Sequence, residues 1–130
     1  MVLPLVLASG CNNTTSSPLG LVDCKVSIDG QPAANVRVAM IPTAADDSTI
    51  VLEGISDVLG VAHMQLVDDA ELPNGDKIDF RVVVESLGDW SVIKPWSDAK
   101  KTPLTVTWDR SGAEAAALQV EIPKKAIKPL

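Results

Sequence analysis

Four groups of side chains can carry chemistry in this sequence: the single histidine His63, the cysteines Cys11 and Cys24, an acid-rich stretch from Asp68 to Asp76, and the tryptophans Trp90, Trp96 and Trp108. Nucleophilic hydrolysis needs a hydroxyl or thiol beside an activating base. Here one imidazole must serve, and no serine sits in a Gly-x-Ser-x-Gly setting. His63 alternates with Ala62 and Met64, a pattern that sends it to the solvent side of a strand. We therefore expect no catalytic residue and no enzyme. A four-ligand zinc site cannot close on one histidine and one spare cysteine. Calcium is the more reasonable metal question, because Asp68, Asp69, Glu71, Asn74 and Asp76 offer oxygen ligands in one loop. Their spacing does not match an EF-hand loop, so the expectation is a solvated acidic loop with no metal and no cofactor. Trp108 closes a strand pattern and is expected in the core. Trp90 and Trp96 flank Lys94-Pro95; they either pack over one end of the fold or present a partner surface.

The most specific chemistry is at Cys11. An apolar run from Val2 to Ala8 leads into Ala8-Ser9-Gly10-Cys11, and a polar stretch, Asn12-Asn13-Thr14-Thr15-Ser16-Ser17-Pro18, follows. A lipoprotein signal peptidase needs small side chains beside the scissile bond, and the thiol of the new N-terminal cysteine carries diacylglycerol. The apolar run is too short to span a bilayer as a helix of the mature protein. The expected organisation is a signal peptide over 1–10, a lipidated Cys11 and flexible tether over 11–18, a β domain over 19–123 and a basic tail over 124–130. The acyl chains would hold an exported protein at a membrane face of the bacterial cell envelope. With Cys11 so used, Cys24 is expected as an unpaired, buried thiol that packs like a small hydrophobe.

The charge balance narrows the partners. The formal net charge is −6, and the first charged side chain is Asp23, so the mature part keeps all of it. Nucleic acid, which needs clustered Lys and Arg, is excluded as a partner. Only Lys124, Lys125 and Lys128 form a basic run, read as a solvated tail. Hydrophobic residues at 46% with 22% charged mark a chain able to build a core rather than a disordered one.

The elements that must position these groups read as short strands. Val22, Cys24, Val26 and Ile28 share one face of the first, and Asp23, Lys25 and Ser27 the other. Further strands are expected at 36–41, 49–55, 61–67, 78–85, 104–108 and 117–122, separated by Asp29-Gly30, Pro42, Asp57 to Gly60, Pro73 to Gly75 and Asp109 to Gly112. A long connection over 87–102 carries two tryptophans. Seven short strands at this spacing predict an all-β, antiparallel β-sandwich.

Order and spacing of the turn motifs then resemble one family. Val26-Ser27-Ile28-Asp29-Gly30-Gln31-Pro32-Ala33 with Val36-Arg37-Val38 resembles the opening of carboxypeptidase regulatory-like domains. Gly54-Ile55-Ser56-Asp57-Val58-Leu59-Gly60 resembles their hairpin, and Gly75 to Val84 their best strand. Lys94-Pro95-Trp96-Ser97-Asp98 through Thr102-Pro103-Leu104-Thr105-Val106 is similar to a segment of short bacterial lipoproteins carrying that domain. Phe80 and Trp96 stand where tyrosine is usual. The resemblance implies a transthyretin-like (prealbumin-like) sandwich and a non-catalytic binding or structural module, with an envelope protein or polysaccharide as partner. It transfers no catalytic residue. A carrier of a small ligand or ion and an enzyme of unknown type are the alternatives. Unpaired sheet edges leave self-association open.

Overall fold

The computed structural model describes residues 21–44, 49–110 and 118–129. Alternation makes the strands. In β1 (Val22–Ile28) the side chains of Val22, Cys24 and Val26 are buried while Asp23 and Lys25 are exposed. The pattern repeats in β5 (Val61–Leu66), β6 (Lys77–Ser86), β8 (Thr105–Asp109) and β9 (Leu118–Ile122). Strands β3 (Val36–Pro42) and β4 (Leu52–Ile55) complete the set read from sequence. Three short strands were not foreseen: β2 (Gln31–Pro32), β7 (Trp90–Val92) and β10 (Ile127–Pro129).

Strands β1, β5, β4, β3, β6 and β8 lie side by side in that order, and β2 and β9 both pair with β1. The sheet curls so that β1 and β9 share one core with β3 and β6, giving a sandwich-like all-β fold. The arrangement is not purely antiparallel. Strand β9 runs parallel to β1, from Cys24 beside Leu118 to Ile28 beside Ile122. The direction of β8 explains this. It pairs antiparallel with β6, Lys77 opposite Asp109, and so finishes at the end of the fold where β1 begins. A crossing from that end delivers β9 alongside β1 in the same direction.

The inner face is filled by Phe80, Met40, Leu52, Met64, Val26, Val38, Val82, Val84 and Ile122, all fully buried. Each such side chain stabilises the fold by about 1.5–3 kcal/mol relative to leaving it in water. Trp108 joins this core, as expected, with the Arg110 guanidinium 5.6 Å from its ring centre. Where β8 stops covering β6, the following connection takes over the edge: Val82 N–H donates to Leu104 O at 2.9 Å and Val84 N–H to Trp96 O at 3.2 Å. The exposed backbone of β6 is thereby paired.

The last residues depart from a free tail. Lys124, Lys125 and Lys128 are exposed, but Ala126 is buried and Ile127–Pro129 pairs antiparallel with Trp90–Val92. Ile127 packs against the core, and the β7 pairing supplies the backbone hydrogen bonds of the segment.

Two turns at the end of β1 rest on glycine. Gly30 (φ +82) and Gly60 (φ +79) both take the left-handed conformation. At Gly60 a Cβ would also lie 2.8 Å from Val26 O and 3.0 Å from Pro32 Cβ, whereas at Gly30 it would meet nothing within 4 Å. Beside this turn Ser56, the buried polar side chain of the region, donates from Oγ to Ala33 O at 2.7 Å and accepts from Val36 N–H at 2.9 Å. Gly30→Ala is expected to cost about 1 kcal/mol, for backbone strain alone, and Gly60→Ala about 2–3 kcal/mol because a clash is added. Equilibrium urea unfolding of the two variants checks the order; equal costs would refute the close approach at Gly60.

Candidate functional site

Strand polarity puts a band of charged and polar groups on the outer face of β1, β5, β4 and β3. His63 lies opposite Asp23 across the β1–β5 ladder, and both side chains face outward because Ala62, Met64, Val22 and Cys24 are buried. His63 Nδ1 is 2.7 Å from Asp23 Oδ1, so the imidazole donates from Nδ1 to the carboxylate. Further along the face, Arg37 lies between two acids: Nη2 is 3.2 Å from Glu53 Oε2 and Nη1 is 3.9 Å from Glu85 Oε1. Exposed pairs of this kind contribute little to stability; they set the charge pattern of the surface.

Between these pairs runs an open groove of about 590 Å³, lined by Arg37, Glu53, Ile55, His63, Gln65, Leu66 and their neighbours. Gly54 brings β4 close to β5 on the groove floor, since a Cβ there would stand 2.8 Å from His63 O. Ile55 and Leu66 add exposed apolar surface. His63 and Asp23 form two parts of a base-and-orienter set. No serine, threonine or cysteine is among the described residues that line the groove. The arrangement can hold a ligand by hydrogen bonds, charge and a small apolar contact.

The other residues singled out from sequence are dispersed. Cys11 lies outside the described residues. Cys24 is a free, buried thiol, and burial, with the Asp23 charge adding to it, pushes it up to about 12. Asp68, Asp69, Glu71, Asn74 and Asp76 are all exposed, and no group of three or more His, Cys, Asp or Glu among the described residues is placed to hold a metal. Trp90 and Trp96 are half-buried and packed against the core. The indole Nε1 of Trp96 is buried with no hydrogen-bond partner. Comparison with known proteins returns no matching family model, no matching curated protein and no matching solved structure.

Sequence reasoning missed the groove, the Arg37 and Glu53 contributions to it and the Asp23 partner of His63. Each was legible as an outward residue of a strand; their proximity depends on register, which no short-range pattern encodes. Two further carboxylates are held in local hydrogen bonds. Asp57 Oδ1 accepts from Val61 N–H at 3.0 Å and Leu59 N–H at 2.9 Å, which lowers its pKa below 3.8, with His63 nearby acting in the same direction. Glu121 is lowered in the same way by the Ser27 hydroxyl and the Gly30 N–H.

Two outcomes follow from these environments. The Cys24 thiol is protonated and shielded up to high pH, so native protein at pH 8 should react with a thiol reagent at least about 100-fold more slowly at this position than urea-unfolded protein. Equal rates would place Cys24 at the surface. For Asp57, a folded pKa below 3.8 means its contribution is complete above that pH and is lost as pH falls through the lower folded value. Stability measured from pH 6 down to pH 2 should therefore fall less steeply for Asp57→Asn than for the parent, from a lower starting point.

Proposed function

We propose that this chain is an exported, membrane-anchored lipoprotein of the bacterial cell envelope whose β domain is a non-catalytic binding or structural module. The observation that carries the reading is Ala8-Ser9-Gly10-Cys11 followed by a polar stretch. A thiol placed there is the acceptor for diacylglycerol once the apolar run is removed. Among the described residues, Leu21 N–H donates to Met64 O at 2.8 Å, and β1 follows directly. In the sequence the polar residues after Cys11 stand between the proposed lipid site and the first strand.

Within this reading the domain is a divergent carboxypeptidase regulatory-like, transthyretin-like module. What supports it is that Gly30, Gly60 and Gly75 of the motifs take positive φ outside the strands, while Gly54 lies within β4. Gly30 lies between β1 and β2, Gly60 closes the turn between β4 and β5, and the run from Ile78 to Val84 lies in β6. The outer-face groove, with its charged pairs beside Ile55 and Leu66, is the surface offered to an envelope protein or polysaccharide.

Intact-mass analysis of the protein purified from its own membranes tests the anchor. The expected species begins at Cys11 and carries acyl mass, and Cys11→Ser should move the protein from the membrane to the soluble fraction. A chain that retains Met1, or a Cys11→Ser variant that stays with the membrane, would overturn the reading.

A further inference from the structure

Asn35 and Asn74 are the asparagines among the described residues, and the fold treats the peptide nitrogen that follows each of them differently. The carboxamide of an asparagine can be attacked by the nitrogen of the next residue, because the product is an unstrained five-membered ring. The attack needs a nitrogen free of other bonding and little bulk on the following residue. Asn35 meets neither condition. Val36 behind it is β-branched and fully buried, and its N–H donates to Ser56 Oγ at 2.9 Å. The backbone of Asn35 is held as well: its N–H donates to Ser56 O at 3.0 Å, and its carbonyl accepts from Leu87 N–H at 2.8 Å. An aspartate before glycine closes the same ring, and Asp29-Gly30 is exposed. There the nitrogen is occupied too. Gly30 N–H donates to Glu121 Oε2 at 3.0 Å, and the Ser27 hydroxyl fixes that carboxylate from its other oxygen at 2.6 Å.

Asn74-Gly75 differs on each count. The pair stands between β5 and β6, outside both strands, and both residues are exposed. Neither the Asn74 side chain nor the Gly75 N–H has a hydrogen-bond partner among the described residues. Glycine brings no bulk, and the space beside it is open: a Cβ at Gly75 would meet only Lys77 O, at 3.9 Å. What is tied down is the far side of the turn. Arg110 Nη2 donates to Gly75 O at 2.6 Å, and Arg110 N–H donates to Asp76 O at 2.6 Å. The turn is thus fastened to the end of β8 through the residues after the reactive nitrogen, and that nitrogen is left bare.

We propose that Asn74-Gly75 is a self-modification site of the folded protein, at which the Asn74 carboxamide is converted without an enzyme to aspartyl and isoaspartyl forms, while the fold protects Asn35 and Asp29. The Gly75 nitrogen gives its proton to water or hydroxide and attacks Asn74 Cγ. The bond from Cγ to Nδ2 breaks, and Nδ2 leaves as ammonia with a proton from water. Water then opens the succinimide ring. Breaking the new bond from Cγ to the Gly75 nitrogen gives an aspartyl side chain. Breaking the original peptide bond gives an isoaspartyl link, in which the chain runs through Cγ and a carboxylate is left on the Cα. Either product adds one negative charge to a chain of net charge −6, close in sequence to the exposed Asp68, Asp69, Glu71 and Asp76. The isoaspartyl link also lengthens the turn by a methylene just before the residues that Arg110 holds. The inference is independent of the anchoring reading, since it uses only the turn and its hydrogen bonds.

The purified full-length protein is held at pH 8, folded in buffer and unfolded in guanidinium chloride. Positions 74, 35 and 29 are followed by peptide mass mapping, with enzymatic methylation of isoaspartyl carboxylates as the second probe. Each site is compared with itself, so the intrinsic reactivity of its sequence cancels. Position 74 should convert in the folded protein within about threefold of its unfolded rate, and positions 35 and 29 at least about tenfold more slowly than theirs, as a barrier higher by about 1.4 kcal/mol gives. Asn74→Gln, an exposed change whose longer side chain would have to close a six-membered ring, should stop conversion at 74 and leave the fold intact. Glu121→Ala should release the Gly30 nitrogen and raise the folded rate at position 29. A folded protein that keeps its Asn74 carboxamide while the unfolded chain loses it at least about tenfold faster overturns the inference. So does one folded-to-unfolded ratio shared by all three sites, because the fold would then select none of them.

Discussion

Strand β1 is the constraint on which the rest of the structure depends. It holds hydrogen-bonded neighbours on both edges, β5 and β2 on one and β9 on the other. Its inward residues Val22, Cys24 and Val26 then meet those of β3 and β6 in one core. A single sheet with one apolar face is unstable until that face is covered. Here the sheet covers itself, by curling from β8 round to β1 and adding β9 in parallel. Without β9 the far side of the core would lose Leu118, Val120 and Ile122, all buried. The polar side chain of Cys24 tolerates this position because a thiol behaves as a small hydrophobe, and its burial in turn removes it from chemistry.

The same pairing fixes what the surface can present. Because alternation is strict, every inward residue of β1 and β5 commits its neighbour to the outside. Asp23 and His63 are therefore brought together by the register that buries Cys24 and Ala62. The Arg37 side chain, outward on β3, meets Glu53 and Glu85 from the strands on either side for the same reason. The groove is thus a by-product of core formation that leaves a patterned face of charged and hydrogen-bonding groups beside Ile55 and Leu66. The local hydrogen bonds of Asp57 and Glu121 have a separate role: they tie down the turns at the end of β1, where the chain reverses within four residues and left-handed glycines are needed.

Much of the fold was readable from the sequence. Period-2 alternation marks β1, β5, β6, β8 and β9, because a half-buried strand buries only every second residue, whereas β3 is buried continuously from Val38 to Pro42 and reads as an apolar run closed by proline. The inner-face residues, the solvent-facing His63, the buried Cys24 and the core position of Trp108 follow from the same rule. Turn positions were legible from Asp29-Gly30 and Asp57 to Gly60, where backbone geometry demands particular residues. Cys11 and its small neighbours are also a purely local pattern, and the proposed anchoring rests on that pattern rather than on folding.

Tertiary structure alone decided how these parts meet. Alternation is blind to direction, so it could not show that β9 runs parallel to β1; the end at which β8 finishes settles that. The short strands β7 and β10 lack a pattern of their own, and they form because Ile127 and Trp90 find the core on one side and each other's backbone on the other. Register likewise placed Asp23 against His63 and Arg37 between two acids. Sequence determined which face of each strand is wet, since hydrophobic burial is a local choice between two faces. Only the folded sheet determined which wet residues are neighbours, since that depends on contacts between segments far apart in the chain.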